Sequence, residues 1–212
     1  MSKSYHDYVI KDGQLVGDFE GLYRDVNDPW GQSKFIGQLD SVRATIVNMC
    51  KNLGPSNGVV EVGCGFGTLT KTLTDLNFNA LGVDVSQNCI KKARTRFPDC
   101  NFLTCGAAEV KKYTLHSPQI FIFAEITWYI LDDLDKVMKS LKEYASVLGK
   151  PVYLIHALSM YPRGVQQYGL DKFHDLETLK AFFNLEYLEC ASFDVFQKDT
   201  KSTCTLFLAK LN

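Results

Sequence analysis

The sequence predicts an α/β sandwich in which a mostly parallel sheet ends in an antiparallel strand pair. Three observations carry this. Short apolar runs alternate strictly with amphipathic segments between residues 59 and 157, which implies parallel strands with helices on both faces. A glycine-rich turn joins the first apolar run to the helix after it. Near the C-terminus, runs 188–196 and 203–210 are separated only by Gln197-Lys198-Asp199-Thr200-Lys201-Ser202. That connector is too short for a helical crossover, so the two strands must run antiparallel.

Residues 1–38 are polar and aromatic, with Tyr5, Tyr8, Tyr23 and the turn Asn27-Asp28-Pro29-Trp30. Irregular structure with a short helix is expected there, lying across the mouth of a domain that spans 39–212. Residues 39–53 place Val42, Ile46, Val47 and Met49 at helical spacing, and Gly54-Pro55-Ser56-Asn57-Gly58 breaks that helix. Residues 59–62 form the first buried strand, followed by a helix over 67–77. Strands over 80–85 and 101–104 flank a helix over 87–97. Gln119 to Glu125 is a strand apolar on both faces, a helix over 132–148 follows it, and 151–157 is the fifth strand. A last helix over 176–183 precedes the terminal pair, giving seven strands in one domain.

Composition narrows the function. Lys plus Arg number 23 against 24 acidic residues, a formal net charge of -1. Nucleic-acid binders carry a basic face or stripe, and the short cluster Lys91, Lys92, Arg94, Arg96 falls on a helix and is expected to be its solvated face. A nucleic-acid substrate is therefore not expected. The N-terminus lacks the apolar run of a secretory signal. No stretch approaches the roughly 18 apolar residues of a membrane helix, so a cytoplasmic protein without membrane contact is expected, as a monomer or homodimer. The seven cysteines are scattered, without C-x-x-C pairs, and read as reduced thiols rather than a disulfide framework or zinc site.

The chemistry sits in Glu61-Val62-Gly63-Cys64-Gly65-Phe66-Gly67, at the carboxyl edge of the first strand, where open α/β sheets bind ligands. Glycines there allow a tight turn and close approach of a ligand to the backbone and to the helix N-terminus. The spacing is G-x-G-x-G, not the G-x-G-x-x-G of the dinucleotide fold, which disfavours a nicotinamide dehydrogenase. Glu61 beside the loop suits an ammonium group better than a pyrophosphate. Asp84 ends the second strand about 20 residues later, where an acid accepts hydrogen bonds from ribose hydroxyls.

These residues resemble the class I S-adenosylmethionine-dependent methyltransferases, from about residue 40 to the C-terminus. Glu61 to Gly67 is similar to the family's first motif, and Gly82-Val83-Asp84-Val85-Ser86 to its second. The resemblance implies a Rossmann-like seven-stranded sandwich and S-adenosyl-L-methionine as cofactor, with S-adenosyl-L-homocysteine as product. It also implies a cofactor site built from Glu61, Gly63, Cys64, Gly65, Gly67, Asp84, Val85, Ala107, Ala108 and Glu125. In Cys105-Gly106-Ala107-Ala108-Glu109, Ala107 stands where the family commonly has an acid, so only backbone and apolar contacts to adenine carry over. More narrowly, Tyr23 with Asp28-Pro29-Trp30 resembles the N-terminal region of the nodulation protein S-like small-molecule methyltransferases. This implies that Trp30 closes over the methionine end of the cofactor.

For the acceptor, Glu125, Tyr129 and His156 are the candidate catalytic residues. His156, near the end of the fifth strand and expected to face the pocket rim, is a candidate general base or a hydrogen-bonded structural histidine. Glu125 ends an apolar strand, where a charge needs a reason; it binds or deprotonates the acceptor, or contacts the cofactor tail. Tyr129 is expected in the pocket, with Trp128 in the core. His174 reads as a surface residue. Asp132, Asp133 and Asp135 read as helix capping rather than a metal site. The expected reaction is transfer of a methyl group to N or O of a small polar acceptor: a sugar, nucleotide-linked sugar or amine. A catalytically silent cofactor-binding subunit that supports a partner enzyme is the alternative, since no N/D-P-P-Y type tetrapeptide is present.

Overall fold

The computed structural model describes residues 5–35, 39–161, 168–197 and 200–211. Lys198 and Asp199 of the terminal connector and the beginning of the loop expected after the fifth strand lie outside them. The chain opens with a small hairpin, β1 (Ile10–Lys11) and β2 (Gln14–Leu15), which the sequence did not signal. Helix α1 (Phe19–Asp25) follows, its N-cap Asp18 accepting from the Gly21 N–H. Helix α2 (Ser41–Leu53) is capped by Asp40 in the same way. Then come β3 (Val59–Val62), α3 (Thr68–Asp75), β4 (Ala80–Asp84), α4 (Gln87–Arg96), β5 (Asn101–Thr104) and the short α5 (Val110–Tyr113). The chain ends with β6 (Ile120–Ala124), α6 (Leu134–Leu148), β7 (Tyr153–Met160), α7 (Leu176–Phe183), β8 (Glu186–Gln197) and β9 (Thr200–Lys210).

The large sheet has the order β5-β4-β3-β6-β7-β9-β8. Its first five strands are parallel; β9 runs antiparallel to both β7 and β8. The sequence dictates the centre. All four residues of β3 and the first four of β6 are buried, as continuous apolar runs must be when helices cover both faces. One face packs on α2 and α3 through Ile46, Leu69 and Leu73. The other packs on α6 and α7 through Leu134, Leu141 and Phe183.

Alternation along β7 corrects the expectation for His156. Side chains of successive strand residues point to opposite faces. Ile155 and Ala157 belong to the α2 face, Leu154 and Leu158 to the α6–α7 face, and His156 follows the latter. It is fully buried, stacked on Phe207 at 4.8 Å and edge-on to Phe183 at 5.0 Å. Its Nε2 is 2.7 Å from the Thr127 hydroxyl. Burial pushes its pKa down to about 3, so it is a neutral core residue and does not face the pocket rim.

Smaller differences have local causes. Strand β7 runs on to Met160 because Leu158, Ser159 and Met160 find partners in Thr205, Cys204 and Thr203 of β9. Helix α6 starts at Leu134, after a 3₁₀ turn at Thr127–Tyr129, and Asp133 sits at its N-cap without a side-chain cap bond. The basic face of α4 is not simply solvated. Lys92 donates to the Tyr23 and Val26 carbonyls at the end of α1, Arg94 donates to the Phe102 carbonyl, and Arg96 lies over the Phe66 ring. All seven cysteines are free; six are buried and Cys190 is exposed. Among the described residues, no helix is long and apolar enough to cross a membrane. None of their His, Cys, Asp and Glu side chains cluster to hold a metal ion.

Candidate active site

From β3 the chain steps outward to β4 and β5, then returns to the other side of β3 with β6 and β7. The carboxyl ends of β3 and β6 therefore diverge into a crevice, the switch point of an open α/β sheet. The turn after β3 occupies it. Gly63 has φ +74 and Gly65 φ +55, left-handed conformations that glycine adopts without strain. A Cβ on Gly63 would strike Ile126, and one on Gly65 would strike the Gln32 side chain. Gly67 forms the left-handed N-cap of α3. The Cys64 side chain points into a buried cluster with Ile90 and Phe102, so only its backbone faces the turn.

Two carboxylates flank this turn. Asp84 ends β4 with 7% of its surface exposed, and its two oxygens each accept a backbone N–H at 3.0 Å, from Gly65 and Ser86. Burial raises its pKa to about 6, against the pull of those donors. Glu61 lies within β3 and accepts from the Thr70 hydroxyl. Burial raises it to about 7, opposed by that hydroxyl and by the Arg43 guanidinium. Val85, just past Asp84, is 58% exposed. Ala107 and Ala108 follow β5, the Ala107 carbonyl accepting from the Tyr113 hydroxyl at 2.6 Å.

A cavity of about 1160 Å³ opens over the α2 side of the sheet edge, with Trp30, Glu61, Gly63, Glu125 and Tyr129 in its wall. Asp84 lies outside that wall, but Tyr23, which lines it, is close enough to feel the Asp84 charge. At Glu125 the chain leaves β6 with φ +61, a conformation that costs a non-glycine residue about 1–3 kcal/mol and persists where surroundings fix it. Here the fixing groups are on β7: the Ser159 N–H and hydroxyl donate to the carboxylate at 3.0 and 2.9 Å, and the Glu125 N–H donates to the Ala157 carbonyl at 2.8 Å. Burial raises the Glu125 pKa, and the Ser159 donors and Arg43 lower it. Tyr129 hydroxyl is 3.3 Å from that of Tyr5, and burial raises its pKa far beyond the ordinary phenol.

The N-terminal segment closes against this site. Trp30 donates to the Tyr23 hydroxyl at 2.9 Å and packs beside Tyr5 and Tyr129. The Gln32 amide spans the glycine turn, accepting from the Phe66 N–H at 2.7 Å and donating to the Cys64 carbonyl at 3.4 Å. Glu20 accepts from the Ser86 hydroxyl and, at 2.7 Å, from the Asn88 amide. Sequence reasoning misses Gln32, Arg43 and Ser159, and places Tyr5 only as part of the segment across the domain mouth. Arg43 could have been found, as the residue three beyond the N-cap acid of α2, on the turn facing the sheet. For Gln32 no sequence signal existed.

The family model for Nodulation protein S (NodS) matches residues 19–162, from the start of α1 to just past β7. The chain belongs to this family. Nodulation protein S of Bradyrhizobium diazoefficiens is 26% identical over 133 residues, 61% of this chain and 62% of that protein, so the match spans less than two thirds of the relative. Among solved structures, N-methyltransferase NodS from Bradyrhizobium japonicum WM9 in complex with S-adenosyl-L-homocysteine superimposes with a TM-score of 0.62 at 14% identity, covering 90% of this chain and 97% of that one. Magnesium protoporphyrin IX methyltransferase from Synechocystis PCC 6803 with bound S-adenosylmethionine gives 0.54 at 16%, over 94% and 100%. These likenesses show the fold: the mostly parallel seven-stranded sheet with its antiparallel C-terminal strands is the one that the sequence predicts.

Proposed function

We propose that this chain is an S-adenosyl-L-methionine-dependent methyltransferase acting on N or O of a small polar acceptor, a sugar, nucleotide-linked sugar or amine. One observation carries the reading. Asp84 and Glu61, two buried carboxylates on adjacent strands, bracket a turn of left-handed glycines, and Glu61 shares a cavity with Glu125. Such a set fits a nucleoside with a zwitterionic tail and repels a diphosphate. Asp84 would hold the ribose diol with the lone pairs that Gly65 and Ser86 leave unused. Glu61 would take the ammonium, and Arg43, in the same cavity wall, the tail carboxylate. Val85, Ala107 and Ala108 would flank the adenine, while Gly63, Gly65, Gly67 and the Cys64 backbone would line the approach. Trp30 would close over the methionine end.

When bound, the cofactor would supply an electrophilic methyl carbon activated by a sulfonium, with a neutral thioether as its leaving group, so that a methylated acceptor would have one proton to give up. Everything else falls to the protein. Alignment of the reactants is the largest contribution it can make, up to about 7–11 kcal/mol in favourable cases. Glu125, held rigidly by Ser159 and raised by burial, would orient the acceptor and receive its proton, a contribution of about 10²–10⁴-fold. Tyr129, whose phenol stays protonated, would donate to the acceptor. Trp30, Tyr5 and Tyr23 would exclude water from the reacting centre.

The test is a calorimetric titration of S-adenosyl-L-homocysteine into wild type and Asp84→Ala, paired with turnover by the isolated chain on aminosugars and amines. Asp84→Ala should bind about 10- to 150-fold more weakly, as expected for about 1.5–3 kcal/mol of charged hydrogen bonding. Equal affinity for the two proteins, or preference for NAD, overturns the assignment. Binding without turnover until a second protein is added supports the silent-subunit alternative.

A further inference from the structure

The cavity continues past Glu125 toward the C-terminal hairpin, and its chemistry changes on the way. Glu61, Glu125 and Ser159 line it near the strand ends; toward the hairpin Val42, Phe193 and Val195 line it, with Ser41 and Ser202 among them. The sheet register fixes their relation. Ser159 pairs with Cys204, and Cys204 with Phe193, so the three side chains form one row on one face. Two strand spacings of about 4.8 Å set Phe193 roughly 10 Å from Ser159. Val195 shares that face two residues further along β8, opposite Ser202. That pair lies beyond Met160, the last residue of β7, which pairs with Thr203. The hairpin therefore projects past the parallel strands as an apolar wall, facing Val42 on α2.

We infer that the acceptor is amphipathic, carrying an apolar chain or ring about 10 Å from the atom that is methylated. The inference rests on the methyl-transfer reading, since it places the reacting atom at Glu125. A cavity of about 1160 Å³ exceeds the roughly 300–1000 Å³ of a single small-ligand pocket, so it has room for a cofactor and a second molecule. Phe193, Val195 and Val42 pack on the α2-face core yet keep part of their surface open to the cavity, and a wholly polar acceptor of sugar size would leave that remaining apolar surface wet. Phe196, next along the strand, points to the opposite face of β8, where the Lys201 ammonium lies 5.9 Å from its ring centroid.

The experiment uses alkyl 2-amino-2-deoxy-β-D-glucosides from methyl to octyl, kept below their micelle concentration, titrated into the full chain saturated with S-adenosyl-L-homocysteine. Affinity should rise with chain length by up to about fourfold per buried methylene, which corresponds to about 0.8 kcal/mol. The paired substitution Phe193→Ser with Val195→Asn should flatten that rise while leaving S-adenosyl-L-homocysteine affinity unchanged. Phe196→Ser, on the opposite face of β8, should leave the rise unchanged. Affinity independent of chain length, undetectable binding of every glucoside, or a rise that survives the paired substitution overturns the inference. Failure of S-adenosyl-L-homocysteine to bind wild type would instead strike the methyltransferase reading, and the same titration series reports both.

Discussion

A glutamate ordinarily titrates near pH 4.5, but burial in β3 moves Glu61 to about 7, and the same cause moves Asp84 to about 6. Between pH 4.5 and 7 the unfolded chain has released the Glu61 proton while the folded chain still holds it, so stability falls as pH rises through that window. Glutamine has no proton to lose. Apo Glu61→Gln should therefore match wild type near pH 4.5, gain on it progressively up to about pH 7, and hold a constant lead above that. Thermal midpoints of the apo proteins at pH 5 and 8 check this, and a gap independent of pH would contradict it. For the same reason wild type should lose S-adenosyl-L-methionine affinity as pH falls below about 7, because the ammonium is best matched by the ionised carboxylate. Glu61, Asp84 and Glu125 were legible as site candidates because charges ending or interrupting apolar strands are conspicuous in a linear sequence. For His156 the sequence leaves a general base and a structural histidine both open and wrongly turns it to the pocket rim, because a residue's position along a strand does not reveal its face. One step of alternation separates it from Ala157 and the cavity side.

At the scale of elements, α1 is fastened to α4 by few interactions. Lys92 donates to both the Tyr23 and Val26 carbonyls, the orphan acceptors at the α1 C-terminus, and Glu20 reaches back to the first turn of α4. Hydrogen bonds from a charged donor contribute about 1.5–3 kcal/mol. Lys92→Met should leave the sheet intact but make local opening of residues 5–35 easier by that amount. Amide exchange in α1 should accelerate roughly tenfold or more, with β3 and β6 unaffected; unchanged exchange in α1 would show that the aromatic contacts suffice. Most helices were legible because caps and apolar spacing are local. The small hairpin β1–β2 and the short α5 were not, since a few residues carry no period. In sequence the basic patch looks solvated, because the acceptors of Lys92 are carbonyls more than 60 positions away, which no local pattern reveals.

Across the whole molecule, the strand order could be anticipated as far as parallel strands plus an antiparallel pair, because the polar connector forbids a crossover. That β9 rather than β8 lies against β7 was not legible. It is settled by burial: β9 carries the run Cys204 to Ala209, buried on both faces, while β8 alternates and suits an edge. The same packing determines the state of the cysteines. Cys50, Cys64, Cys89, Cys100, Cys105 and Cys204 are enclosed by the layers on either side of the sheet, whereas Cys190 sits on the outermost strand. Enclosure also pushes the thiols up, Cys50 and Cys204 to about 12, which keeps them from the thiolate form that reacts. A maleimide offered to the intact protein should therefore count one nucleophile, and the denatured chain should count seven. Labelling stoichiometry becomes a built-in gauge of how much of this molecule is open at any moment.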